Sequence, residues 1–141
     1  MKTDGKVGFL LKEINDSLLK MANNDLRASG LTIMQVALLT NLNKRHNREM
    51  TMKEIERQFS ISQPTVVGIV SRMEEKGIVE SYLDSADRRV KIVHITEKGE
   101  SLVTDAEECV DCAERRLVEG LSDKDIETLL SLLEQMRENL R

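Results

Sequence analysis

The sequence predicts a mainly α-helical fold with one small β-hairpin, and three features carry that expectation. Apolar residues recur with a helical period over most of the 141 residues. The period shortens to about two in a single stretch, near residues 78–96. Residues that start or stop helices stand at the edges of each run. A hydrophobic content of 40% beside a charged content of 33% supplies a core and a solvated surface. One soluble domain over residues 1–141 is therefore expected.

The first helix is expected from Val7 to about Arg27, where Val7, Leu10, Leu11, Ile14, Leu18, Met21 and Ala22 keep helical spacing. Gly30 is placed to end it. Thr32 can cap a second helix through Val36, Leu38, Leu39 and Leu42, and the polar stretch from Asn43 to Arg48 reads as a loop. Thr51 precedes a short helix, MKEIERQF, with Ile55 and Phe59 as its apolar stripe. After the tight connection SIS, Ser62 opens QPTVVGIVSRMEEKG. Pro64 sits in its first turn, where a missing N–H costs nothing. Val66, Ile69, Val70 and Met73 point inward, and Gly77 closes the helix. The strands IVESYL and VKIVHIT, separated by DSADRR, form the hairpin. Thr96 caps a long helix through Leu102, Ala106, Cys109, Ala113 and Leu117. Ser122 with Asp125 gives a capping-box pattern for a last helix bearing Ile126, Leu129, Leu130, Leu133, Met136 and Leu140. The expected order is α-α-α-α-β-β-α-α.

Composition narrows the function classes. Aromatic residues are 2% and Trp is absent, which argues against a stacking platform for single strands or sugars. Two cysteines exclude a disulfide scaffold and suit a reducing cytoplasm. No apolar run reaches bilayer length, and no signal-peptide pattern opens the chain. The net charge of −4 is unevenly spread: residues 1–43 carry +1, residues 44–98 carry +2 and residues 99–141 carry −7. The acidic third would repel phosphate, whereas the middle can meet it if its cations share a face. His46 and His94 stand alone, and no Ser-His-Asp arrangement, glycine-rich phosphate loop or H-E-x-x-H spacing is present. The reading is of a protein that is not an enzyme and needs no cofactor or metal.

Helix, turn, helix and then hairpin is the outline of a winged helix-turn-helix. The hairpin tip holds Arg88, Arg89 and Lys91 where a β-loop would reach phosphates or a narrow minor groove. Asp84 and Asp87 stand beside them, and a carboxylate can fix the direction of a guanidinium. A plain helical hairpin followed by a solvated charged loop would account for the same residues.

The run ISQPTVVGIVSRMEEKGIVESYLDSADRRVKIVHITEKG, from Ile61 to Gly99, resembles the MarR family of bacterial transcriptional regulators. The matching features are S-Q-P-T at the helix start, the exit E-K-G-I-V, the wing D-x-x-D-R-R and the closing I-T-E-K-G. Length and flanking helices match as well. The resemblance implies a winged-helix lobe over about 32–96 and a helical dimerisation region over about 5–30 and 97–141. It further implies a cytoplasmic homodimer gripping pseudo-palindromic double-stranded DNA, and repression relieved by a small effector or by thiol oxidation. In this family anionic phenolic ligands often bind between the dimer helices and the winged helix, but so few aromatics leave no pocket to assign.

Carried over by position, Ser62, Gln63, Thr65 and Gly68 would face the major groove. Ser and Thr can bond several bases, Gln can bond adenine through two hydrogen bonds, and Gly permits close approach. Ser62 is also expected to cap its helix. Arg72 suits a phosphate better than a base edge. In the wing, Asp87 would orient an arginine toward the minor groove; Arg88 and Arg89 both fit. Two positions depart from the family pattern: Ser81 where arginine is common, and Ser85 near a common proline. Both remove charge or stiffness near DNA.

Phe9, Leu19, Leu26 and Leu132 fall beside the main stripes of the first and last helices. A helix apolar on two sides wants a second partner, so dimerisation is expected; loose packing within one chain is the alternative. Cys109 and Cys112 form C-x-x-C within the long helix, on roughly one face. They read either as core packing or as a thiol-redox or metal sensor. Two ligands are too few for a metal alone, and a redox pair normally sits at a helix start. A third reading is a winged helix that docks proteins and has lost DNA affinity.

Overall fold

A computed structural model describes residues 4–141. Its helices are α1 (Lys6–Leu26), α2 (Ile33–Lys44), α3 (Met52–Phe59), α4 (Gln63–Glu75), α5 (Glu97–Leu117) and α6 (Asp123–Glu138). Its strands are β1 (Glu49–Thr51), β2 (Val79–Leu83) and β3 (Lys91–Ile95). All six expected helices and the hairpin are present, so the fold is a winged helix-turn-helix flanked by long helices. A 3₁₀ turn, Arg27–Ser29, carries α1 to Gly30 at φ 72.

One element was not expected. The stretch read as a loop is shorter, because α2 continues to Lys44, and β1 follows it. β1 makes the sheet three-stranded, antiparallel and ordered β1-β3-β2. Three residues are too few to show a period, and what holds them is a distant partner: Met50 stands opposite Val93, both fully buried. Tyr82 on β2 donates its hydroxyl proton to Glu49 on β1, bracing the base of the wing across β3.

Reciprocal caps start three helices. Thr32 with Gln35, Thr51 with Glu54, and Ser122 with Asp125 each satisfy two otherwise orphaned N–H groups. At the end of α4, Gly77 takes φ +71. There the Ile78 N–H bonds the Met73 carbonyl and the Gly77 N–H bonds the Glu74 carbonyl, a Schellman closure that seats Ile78 against the core. Thr96 then ties the next helix to this exit. Its hydroxyl donates to the Gly77 carbonyl at 2.7 Å, its N–H donates to the Ile78 carbonyl at 3.1 Å, and its Oγ1 accepts from the Gly99 N–H at 3.2 Å. The approach is so close that a Cβ on Gly99 would stand 2.2 Å from the Ile78 carbonyl oxygen and 2.8 Å from Ile95 Cγ1.

The core lies between α2, α4, the inner sheet face and α5. Val36, Leu39, Leu42, Val66, Met73 and Val93 are fully enclosed, and Ile55 of α3 joins them. α1 and α6 are different. Leu26, expected beside the α1 stripe, belongs to this core at 2% exposure, because it stands one turn after the buried Ala22 on the same side of the helix. The first half of the stripe stays open: Val7, Leu10, Leu11 and Ile14 face solvent, as do Phe9 and Leu19, whereas Leu18 and Met21 are half-buried and Ala22 is buried. α6 has no buried residue at all, and Leu129, Leu130, Leu132 and Leu133 are exposed.

Gly99→Ala is expected to lower stability by about 1–3 kcal/mol, the usual cost of forcing an extra carbon into a packed site. Urea denaturation checks this. An unchanged midpoint would mean that α5 can retreat from the α4 exit freely.

Candidate nucleic-acid interface

The sequence places Pro64 at the start of α4 and β-branched, apolar residues along its inner face, so the helix lies on the core and turns its opposite side outward. Gln63 and Val67, four residues apart, share that outer side. The wing rises beside it. Arg89, Val90 and Lys91 of the wing and Lys53, Glu56 and Arg57 of α3 close a groove of about 690 Å³ against Gln63 and Val67. Three expected residues, Gln63, Arg89 and Lys91, are thus brought together. Lys53 and Arg57 were not singled out from sequence, since two cations one turn apart on a short helix look like ordinary solvated surface.

The wing tip is pre-shaped. The Asp84 N–H donates to the Val90 carbonyl at 2.9 Å, and the Val90 N–H to the Asp87 carbonyl at 3.0 Å. Asp87 then receives Arg89 three times. Its Oδ1 accepts from the Arg89 N–H and from Nε, both at 3.1 Å, and its Oδ2 accepts from a terminal guanidinium nitrogen at 3.3 Å. The Arg89 side chain remains 91% exposed, aimed but not covered. Its hydrogen bonds hold the Asp87 carboxyl below the usual aspartate range. Arg88 is exposed beside it, and Asp87 pairs with Arg89, which distinguishes the two arginines that sequence left equivalent.

At the start of α4 the expected cap takes another form. Ser62 is the N-cap residue, but its side chain accepts no backbone N–H. Its hydroxyl instead pairs with that of Thr65 at 2.9 Å, because two hydroxyls three residues apart satisfy each other. Both stay exposed. Gly68 is not required by the chain itself: an added Cβ would make only an ordinary 3.5 Å contact with the Arg72 guanidinium, which folds back over it. Ser81, where an arginine was noted as missing, donates its hydroxyl proton to Glu74 and ties β2 to α4.

The cysteines diverge. Cys109 is half-buried and packs against the core, whereas Cys112 is exposed. Burial, with Asp25, Cys112, Glu108 and Asp105 nearby, pushes the Cys109 thiol up, away from the reactive thiolate. Among the described residues no group of three metal-ligating side chains forms around them. Asp25, Leu26, Ala28, Leu102, Asp105 and Cys109 line a small cleft of about 170 Å³ between the end of α1 and α5.

Residues 29–90 match the model of the MarR family. Similar solved structures include that of AbsC, a MarR family transcriptional regulator from Streptomyces coelicolor. It is 23% identical, with a TM-score of 0.87, over 100% of this chain and 97% of that one. MepR of S. aureus, in complex with DNA, is 25% identical with a TM-score of 0.88, over 94% and 96% of the two chains. CouR of Rhodococcus jostii, bound to p-coumaroyl-CoA, is 28% identical with a TM-score of 0.76, over 99% and 92%.

Asp87→Ala is expected to release Arg89. The folded pKa of Asp87 lies below its unfolded value, so the pairing is complete at neutral pH. It is lost only as pH falls through a value lower than the ordinary ~3.9. Relaxation of the Arg89 Nε–H in NMR should therefore report a mobile guanidinium in the variant at neutral pH, and in the wild type only in stronger acid. An equally mobile Arg89 in both proteins at neutral pH would remove the pairing.

Proposed function

We propose that the chain, whose residues 29–90 match the MarR family model, is a homodimeric repressor of that family that grips a pseudo-palindromic DNA duplex and releases it when a small ligand binds. The carrying observation is the groove in which the outer face of α4 meets the cationic wing. In this reading α4 enters the major groove. Gln63 bonds a base edge there, with the Ser62 and Thr65 hydroxyls beside it and Gly68 leaving room for the Arg72 guanidinium. Arg72, Lys53, Arg57 and Lys91 meet phosphates. Arg89, aimed by Asp87, reaches into the minor groove, and Arg88 takes the neighbouring backbone.

Dimerisation is supported by an excess of surface. The described residues expose 10306 Å², whereas a folded monomer of 16.0 kDa is expected to expose only about 7,400 Å². Apolar residues of α1 and α6 are uncovered, and the scale of the excess suits an obligate homodimer. Residues 5–30 and 97–141 are assigned to that interface and residues 32–96 to the DNA-binding lobe. Two-fold symmetry then sets the two α4 helices about 34 Å apart, one turn of duplex.

The MepR structure contains DNA and the CouR structure an acyl-CoA, which supports ligand-controlled DNA release here. The cleft beside Cys109, about 170 Å³, would have to widen to admit an effector. Asp25 and Asp105 line it and no basic side chain does, so it favours a neutral or cationic effector over an anionic phenol. The raised thiol of Cys109 disfavours the redox reading, and the cationic groove disfavours protein docking without DNA.

Binding to duplex DNA is expected to weaken steeply with salt. Replacing Arg88 and Arg89 together by Ala should shallow the log–log salt slope by about one per lost phosphate contact. Gel shifts at several salt concentrations check it, with sedimentation velocity for the dimer. A slope unaltered by the double substitution would take the wing out of the interface, and a monomer at micromolar concentration would refute the dimer.

A further inference from the structure

Val67 is an anomaly in the groove. It is 45% exposed, although Val66 and Val70 on either side of it in sequence are fully buried. It lines the same groove as Gln63, Arg89 and Lys91. A β-branched residue on the open face of a helix gives up helix propensity and leaves apolar surface in water. No core contact compensates either cost. A second copy of the chain is a poor cover for it, because Lys53, Arg57, Arg89 and Lys91 surround the groove and would confront their own like charges. What fits is a polyanion that also presents an apolar group.

We propose that Val67 is a specificity-determining residue that packs against the C5-methyl group of a thymine in the major groove. This rests on the DNA-binding reading above and adds a base preference to it. The thymine methyl is the one apolar group that unmodified bases offer on the major-groove edge, and apolar side chains recognise it by burial. Gln63 and Val67 are one helical turn apart, roughly 6 Å along the axis, which is close to two base-pair steps. The thymine read by Val67 therefore lies within about two base pairs of the base that Gln63 bonds, once in each half-site.

The test starts from duplexes selected out of a random pool by the full-length protein. Each thymine of the selected site is replaced in turn by deoxyuridine, which lacks only the methyl. At one thymine per half-site, wild-type affinity should fall about fourfold, the factor that corresponds to one methyl-sized group returned to water. Val67→Ala should lose a similar factor on the unmodified site and nothing further on the deoxyuridine site. Thermal melting of the variant should match wild type, since the side chain is outside the core. If every deoxyuridine substitution affects wild type and Val67→Ala equally, the assignment is wrong while DNA binding stands. If no duplex is enriched at all, the DNA-binding reading itself falls.

Discussion

The close seating of α5 on the exit of α4 is the constraint on which the rest of the molecule depends. A Schellman turn at Gly77 ends α4 and leaves the Ile78 carbonyl free to accept the Thr96 N–H. Gly99 lets the first turn of α5 press on that same carbonyl. Lys98 donates to the carbonyl of Lys76 at 2.8 Å, and Lys76 in turn bonds Gly30 and the buried Gln35. Five segments meet at this junction: the connection after α1, the start of α2, the end of α4, the hairpin and α5. The outer face of α4 and the tip of the wing are consequently set relative to the long helices by one close backbone contact, Thr96 N–H to the Ile78 carbonyl, and by side chains that bond backbone carbonyls around it. Electrostatic and apolar contacts in the groove operate within that frame.

Much of this frame could be read from single residues. Pro64 and Gly77 bracket α4, and the apolar spacing of Val66, Ile69, Val70 and Met73 gives its buried side, because periodicity and punctuation are local properties. β1 escaped for the opposite reason: its partner, β3, is some forty residues away in sequence, and three residues carry no pattern of their own. Leu26 falls beside the stripe that the start of α1 defines, yet it stands one turn after Ala22 and goes with it into the core. The groove was legible only in its parts. Gln63 and the wing cations stand out by residue type, but Lys53, Arg57 and Val67 acquire meaning only when the hairpin is folded against α3 and α4. Ser62 shows a smaller failure of local reasoning, since the hydroxyl of Thr65 competes with the backbone for the same partner.

Charge is sorted as sharply as hydrophobicity. The acidic residues concentrate in 99–141, on the long helices, while the groove collects four cations from two elements and one carboxylate, Glu56. A polarised molecule of this kind is turned by its own field before contact, so that the groove rather than the acidic helices approaches phosphate. The Asp87–Arg89 pairing completes this by ordering the leading guanidinium in advance, which reduces the conformational entropy lost on contact.

α6 finds no cover within its own chain. In the dimer proposed above, two chains must therefore meet before either is fully covered, and well below the dissociation constant the dimer accumulates with the square of the chain concentration. A cell making few copies would hold mostly incomplete chains, open to proteolysis. One defective allele expressed beside a sound one would be expected to spoil most of the assemblies it enters.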